Sequence, residues 1–130
     1  MQTGDEMHRT TTAIALSLAS LALASSAHAG DAKHGQQLFA VCQACHTVQK
    51  GGGNSIGPNL FGIAGRKAAS VAGFSYSAAL TNAKITWTND KLKAWVTNPA
   101  KMVPGTRMTF AGFSDPAKAA DIVAYLDTLK

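Results

Sequence analysis

The sequence predicts an all-α domain, a few helices joined by long loops around an embedded group, and three observations lead there. No stretch alternates apolar and polar residues as a half-buried strand does, and no segment repeats. Several segments space their apolar residues by three and four, the period of a helix with one buried face. The pentapeptide Cys42-Gln43-Ala44-Cys45-His46 has the spacing that attaches a c-type haem. Long, irregular loops would otherwise count against a compact domain, and a macrocycle gives them something to pack on.

The N-terminal stretch stands apart from that domain. After Met7-His8-Arg9 comes an apolar run from Ala13 to Ala24, then Ala27-His28-Ala29, a small-x-small cleavage pattern. Residues 1–29 therefore read as a secretory signal peptide and 30–130 as one small domain, delivered to the periplasm. Asp5 and Glu6 depart from the basic start of such leaders, which leaves Met1 and Met7 both as candidate starts. The run falls short of the ~20 residues of a membrane-spanning helix, which argues against a retained anchor.

A domain this small is marginal for a core of its own, and a covalently held macrocycle makes good the shortage. From Gly30 onward nine Lys and two Arg face five Asp and no Glu. Such a surplus suits nucleic acid, an anionic membrane or an acidic protein. Export argues against nucleic acid, and the lysines are scattered rather than run together.

Each element has its own justification. From Asp31 to about Cys45, Leu38, Phe39, Val41 and Cys42 form an amphipathic pattern, so one helix carries the pentapeptide in its last turn. Gly35 within it costs stability relative to alanine and is explained by close approach of another helix. Gly51-Gly52-Gly53-Asn54 ends the helix, and Gly57-Pro58-Asn59-Leu60 continues as loop. No Gly-Lys-Ser/Thr follows the glycines, so a phosphate cradle is not expected. A short helix is expected near Ser75 to Asn82. Thr88-Asn89-Asp90 caps a better one, with Leu92, Trp95 and Val96 on one face and an end at Asn98-Pro99. Pro104-Gly105-Thr106-Arg107-Met108 is a turn-rich loop that delivers a thioether. Asp115-Pro116 opens the last helix as cap and first residue, with Ile122, Val123, Tyr125, Leu126 and Leu129 as its apolar side.

The pentapeptide carries the chemistry. Each thiol forms a thioether to a vinyl group, the two-residue spacer matches the separation of the vinyls, and His46 is held under the metal as an axial ligand. A disulfide oxidoreductase also uses Cys-x-x-Cys, but its first thiol follows a strand-like run, and none precedes Cys42. Structural zinc wants four ligands, and past the leader the only Cys and His are Cys42, Cys45, His34 and His46, on one short stretch. Using both cysteines on the haem leaves no thiol of an exported chain open to oxidation. The sixth iron position has three candidates, Met102, Met108 and His34. His34 lies on the same helix as Cys42, poorly placed to reach the far face of the ring, and reads as a surface histidine. On spacing alone either methionine can serve.

Taken in order, the motifs resemble class I cytochrome c over nearly all of 30–130. They are Gly35 with Phe39, the pentapeptide, Gly57-Pro58-Asn59-Leu60, Gly65-Arg66, Gly73-Phe74-Ser75-Tyr76, Trp87, Asn98-Pro99, Pro104 to Phe110, and Tyr125-Leu126. The resemblance implies the cytochrome c fold with one covalent haem c, and Met108 rather than Met102 as the ligand opposite His46. It implies that the Pro58 carbonyl accepts from the second nitrogen of His46. Arg66, Tyr76 and Trp87 would donate to a buried haem propionate, and Phe110 would cover the haem on the methionine side. Gly35, Phe39, Tyr125 and Leu126 would form the crossing of the first and last helices. The implied function is a soluble one-electron carrier, not an enzyme, monomeric, passing electrons between a redox-protein donor and acceptor with transient docking to membrane complexes. The competing expectation is a haem enzyme or gas-binding sensor with an open or labile sixth position; a di-haem peroxidase would need a second Cys-x-x-Cys-His, which is absent.

The chain also departs from that family. Val41, Gly53, Ser55 and Ala100 stand where lysines usually ring the haem edge, and the run Gly112 to Pro116 lacks a lysine cluster; Lys50, Lys101 and Arg107 remain. Docking is therefore expected to lean on apolar contact around Val41 and Phe113. Trp95 stands where tyrosine is usual and Leu80 where asparagine is, changing the polar neighbours of the ligand.

Overall fold

The computed structural model describes residues 29–130. The expected leader lies outside the described residues, apart from Ala29. Five α-helices follow in order: α1 Ala32–Leu38, α2 Ala78–Asn82, α3 Asn89–Thr97, α4 Pro99–Met102 and α5 Pro116–Asp127. Among the described residues the only extended pairing is one isolated antiparallel bridge, Lys67 to Thr86. The all-α expectation holds, and none of the described helices is long and apolar enough to cross a membrane.

Local chemistry sets most boundaries. The Asp31 carboxylate caps α1 by accepting from the backbone N–H groups of Lys33 (2.9 Å) and His34 (3.1 Å). Ser77 does the same for α2 through Leu80 N–H, and Thr88 for α3 through Lys91 N–H. Asp115 caps α5 with Pro116 as its first residue, as the sequence predicts. The short α4 was not expected. Asn98, which ends α3, turns its side chain to cap Lys101 N–H at 3.0 Å, and Pro99 occupies the first helical position.

The first helix departs from expectation. It stays α-helical only to Leu38 and then tightens into a 3-10 segment, Phe39–Ala44. In three-residue winding, side chains at i and i+3 eclipse each other. Cys42 lies in this tighter winding and Cys45 follows directly after it, and both line the same cavity.

α1 crosses α5 with almost no gap. A Cβ on Gly35 would lie 1.9 Å from the carbonyl oxygen of Asp121, so only glycine fits. Phe39 and Tyr125 close the crossing with ring centroids 5.1 Å apart. His34, expected as a surface residue, is exposed yet bonded: its Nδ1 lies 2.6 Å from the buried Asp121 carboxylate, which also accepts from Asp31 N–H at 2.7 Å. Trp87 packs against Trp95 of α3 with ring centroids 5.3 Å apart. The bridge pins the Arg66 loop to the Trp87 segment, with Trp87 N–H donating to Arg66 O and Gly65 N–H to Trp87 O, both at 2.8 Å. The buried faces of α3 and α5, with Phe39 and Ile63, enclose one side of a central cavity.

Candidate haem site

The cavity has a volume of about 620 Å³, within the roughly 300–1,000 Å³ of sites that hold cofactors. Eight of the nine residues singled out from the sequence line it: Cys42, Cys45, His46, Pro58, Tyr76, Trp87, Met108 and Phe110. Arg66 is not on its wall. Leu80, Trp95 and Val41, marked as departures, line it as well.

His46 is held in one orientation. Its Nδ1 lies 2.8 Å from the Pro58 carbonyl oxygen, which can only accept, so Nδ1 carries the proton and Nε2 keeps its lone pair. Burial pushes the imidazole below its ordinary range, and the Pro58 carbonyl works partly against that shift. Gly57 packs flat on the ring, since a Cβ there would come within 2.4 Å of His46 Cε1.

The loop carrying Pro58 is fixed by a residue the sequence left without a role. Asn59 is buried, and its Nδ2 donates to Gln49 O at 2.9 Å and Gly52 O at 3.2 Å while its Oδ1 accepts from Phe61 N–H at 2.8 Å. Its place after proline in a glycine-rich loop was the available signal, for such a segment has few other ways to satisfy its backbone.

Burial, with the neighbouring Cys45 adding to it, pushes the Cys42 thiol up to about 11. An oxidoreductase nucleophile needs a depressed pKa, so that alternative loses support. Among the described residues no three His, Cys, Asp or Glu side chains gather as a metal site, so a zinc centre lacks ligands too.

Spacing left two methionines open, and the fold separates them. Met108 lines the cavity. Met102 faces a different, more open groove of about 470 Å³ beside Ile85 and Val103. The loop bearing Met108 is tied across the cavity by the Arg107 guanidinium, which donates to Ser75 O, a link the sequence did not suggest.

Arg66 donates from Nη1 to Phe61 O at 3.1 Å, while its Nε is buried without a partner among the described residues. A buried, unpaired guanidinium nitrogen is costly, and because Arg66 stands off the cavity wall this nitrogen is not presented to the cavity. Tyr76 accepts from Val71 N–H at 3.1 Å and keeps its own hydroxyl proton to donate. Phe113, expected at an apolar docking surface, is instead half-buried and stacks edge-on against Phe110 with centroids 5.4 Å apart.

An all-α domain that gathers two thiols, an oriented imidazole and a thioether around one apolar cavity is a domain built to hold a covalent haem. The family model for cytochrome c matches residues 32–130. The chain is 47% identical to cytochrome c of Guizotia abyssinica over 103 residues, 78% of this chain and 93% of that protein. It is 46% identical to cytochrome c2 of Rhodopila globiformis over 106 residues, 81% of this chain and 99% of that protein. The solved structure of cytochrome cH from Methylobacterium extorquens superposes with a TM-score of 0.72 at 46% identity, covering 76% of this chain and 99% of that one. The chain belongs to the cytochrome c family. It is an electron carrier with one covalently bound haem c, and it exchanges electrons with redox partners.

Proposed function

We propose that this chain is a soluble, periplasmic, monomeric one-electron carrier, exported by a cleaved leader over 1–29 and folded over 30–130, which catalyses no reaction of its own. The observation that carries this reading is that one cavity receives both His46, with its Nε2 lone pair available, and the Met108 thioether. His46 and Met108 would ligate the iron and leave it no position open to a substrate. When bound, the haem supplies a one-electron iron couple, raised in potential by a soft thioether ligand and by exclusion of water.

The chain's residues divide the remaining work. Cys42 and Cys45 anchor the group through thioethers. Pro58 orients His46 and raises its basicity through the shared hydrogen bond. Arg66, Tyr76 and Trp87 donate to a propionate, a role supported by the uncommitted Tyr76 proton and by the place of Tyr76 and Trp87 on the cavity wall. Phe110 covers the methionine side, and the buried Leu92, Trp95 and Ile122 keep water from the cavity. Donor and acceptor are redox proteins, which the carrier meets transiently, including at membrane complexes.

The ferric absorption spectrum tests the reading. Low-spin iron with a sulfur-to-iron band is expected. High-spin iron, or rapid carbon monoxide binding to the reduced protein, would instead indicate an enzyme or gas sensor with a vacant sixth position.

A further inference from the structure

Gly30, the first residue after the expected leader, is not a loose end. It has a left-handed backbone, with φ of 77°, and lies half-buried against the middle of α5. A Cβ there would come within 2.5 Å of the Ala120 carbonyl oxygen and 2.9 Å of the Ala124 Cβ, so glycine alone fits. Ala29, one residue earlier, is exposed.

One residue later, the Asp31 N–H donates to Asp121 Oδ1 at 2.7 Å. Adjacent backbone nitrogens are at most about 3.8 Å apart, which places the Gly30 nitrogen within about 6.5 Å of that oxygen. Asp121 is only 4% exposed, and its other oxygen meets His34 Nδ1. A cation at this range favours the ionised form of a carboxylate that burial would otherwise penalise. In the unprocessed chain the Gly30 nitrogen is a neutral amide. When water adds across the Ala29–Gly30 bond, the carbonyl carbon leaves as the Ala29 carboxylate and the nitrogen takes up protons to become an α-ammonium.

Other charges nearby do not cancel the attraction. The start of α1 disfavours a cation, but the Asp31 carboxylate already accepts from the Lys33 and His34 N–H groups there and adds a second negative charge beside Gly30. Lys33 and Lys118 are exposed, so water screens them, and Asp127 is engaged with Asn89.

Building on the reading that the leader is removed after Ala29, we propose that processing is also a folding step. The new α-amino group of Gly30 is a charge partner for the buried Asp121 carboxylate, and it tightens the crossing of α1 and α5 in the mature chain alone. Because the pairing holds the proton on the amine, its contribution is complete below the amine's ordinary value and is lost as pH rises through the raised one.

Amino-terminal sequencing of the exported holoprotein separates the two levels. A first residue other than Gly30 overturns the cleavage reading and the proposal with it. With Gly30 first, NMR titration should find its α-amine above the ordinary range of about 7.7–8.0, by about half a unit or more. Selective acetylation of that amine at about pH 6.5, where lysines stay protonated, restores a neutral amide of the kind Ala29 supplied. The acetylated holoprotein should unfold in urea at pH 7 with an equilibrium constant about threefold or more larger, the equivalent of that half unit. Asp121→Asn should return the amine to its ordinary range and erase the effect of acetylation. With the cleavage reading intact, the proposal is overturned by an amine in the ordinary range, or by acetylation that leaves the urea midpoint unchanged or shifts it equally in Asp121→Asn. The titration of the unaltered protein decides the matter even where Asp121→Asn does not fold.

Discussion

The backbone of Asp121 lies so close to Gly35 that a single added methyl at residue 35 would sit 1.9 Å from its carbonyl oxygen. Gly35→Ala must therefore push α1 and α5 apart along the seam that also holds Phe39 against Tyr125. Overpacking of this kind costs about 1–3 kcal/mol, and at about 4–8 °C per kcal/mol the Tm of the holoprotein should fall by about 10 °C. Thermal unfolding followed by circular dichroism checks this, and an unchanged Tm would mean the crossing is looser than described.

Met108 and Met102 face different spaces, and single substitutions tell them apart. Met108→Ala should abolish the sulfur-to-iron band and let carbon monoxide bind the reduced protein. Met102→Ala should leave the band intact. Loss of the band in the Met102 variant alone would reverse the ligand assignment.

Tyr76 makes stability depend on alkaline pH. Burial raises its phenol above the ordinary 10, with the Val71 N–H and then the Arg66 charge working against that shift. Between the ordinary and the raised value the unfolded chain has lost a proton that the folded chain keeps. The unfolded state then binds fewer protons, so stability falls as pH rises. The contribution is complete below pH 10 and is lost as pH climbs through the folded value. Tyr76→Phe should flatten this alkaline decline in urea titrations run from about pH 9 to pH 11; a decline as steep as the parent's would place its origin elsewhere.

Lys84 is exposed and holds a left-handed backbone, with φ of 53°. A residue with a side chain pays about 1–2 kcal/mol there, while glycine loses about 0.4–1 kcal/mol more chain entropy on folding. Lys84→Gly should therefore stabilise by about 0.5–1 kcal/mol, and Lys84→Val should destabilise. Chemical denaturation midpoints of the two variants, moving in opposite directions, provide the check.

What was legible in the sequence was local. Thr88 and Asp115-Pro116 announce α3 and α5 because a cap and its acceptor lie within one turn of each other. Gly35 announced a close helix because nothing in its own turn explains it. The four-residue α4 has no period to detect, and the Lys67 to Thr86 bridge is a single pair without alternation. The change to 3-10 winding at Phe39 was hidden because its apolar spacing suits an α-helix equally well. The cavity wall followed the motifs with one exception, Arg66, whose unpaired Nε is a tertiary fact. The inward packing of Phe113 likewise depends on how distant loops meet.

The crossing of α1 and α5 joins the two ends of the domain, and α5 supplies Ile122 and Leu126 to the wall of the chamber that also holds the cysteine sulfurs. A nascent polypeptide cannot complete that chamber until its closing helix has been synthesised. Until α5 packs against α1, the wall formed by Ile122 and Leu126 is missing and the chamber holding Cys42 and Cys45 lacks that side.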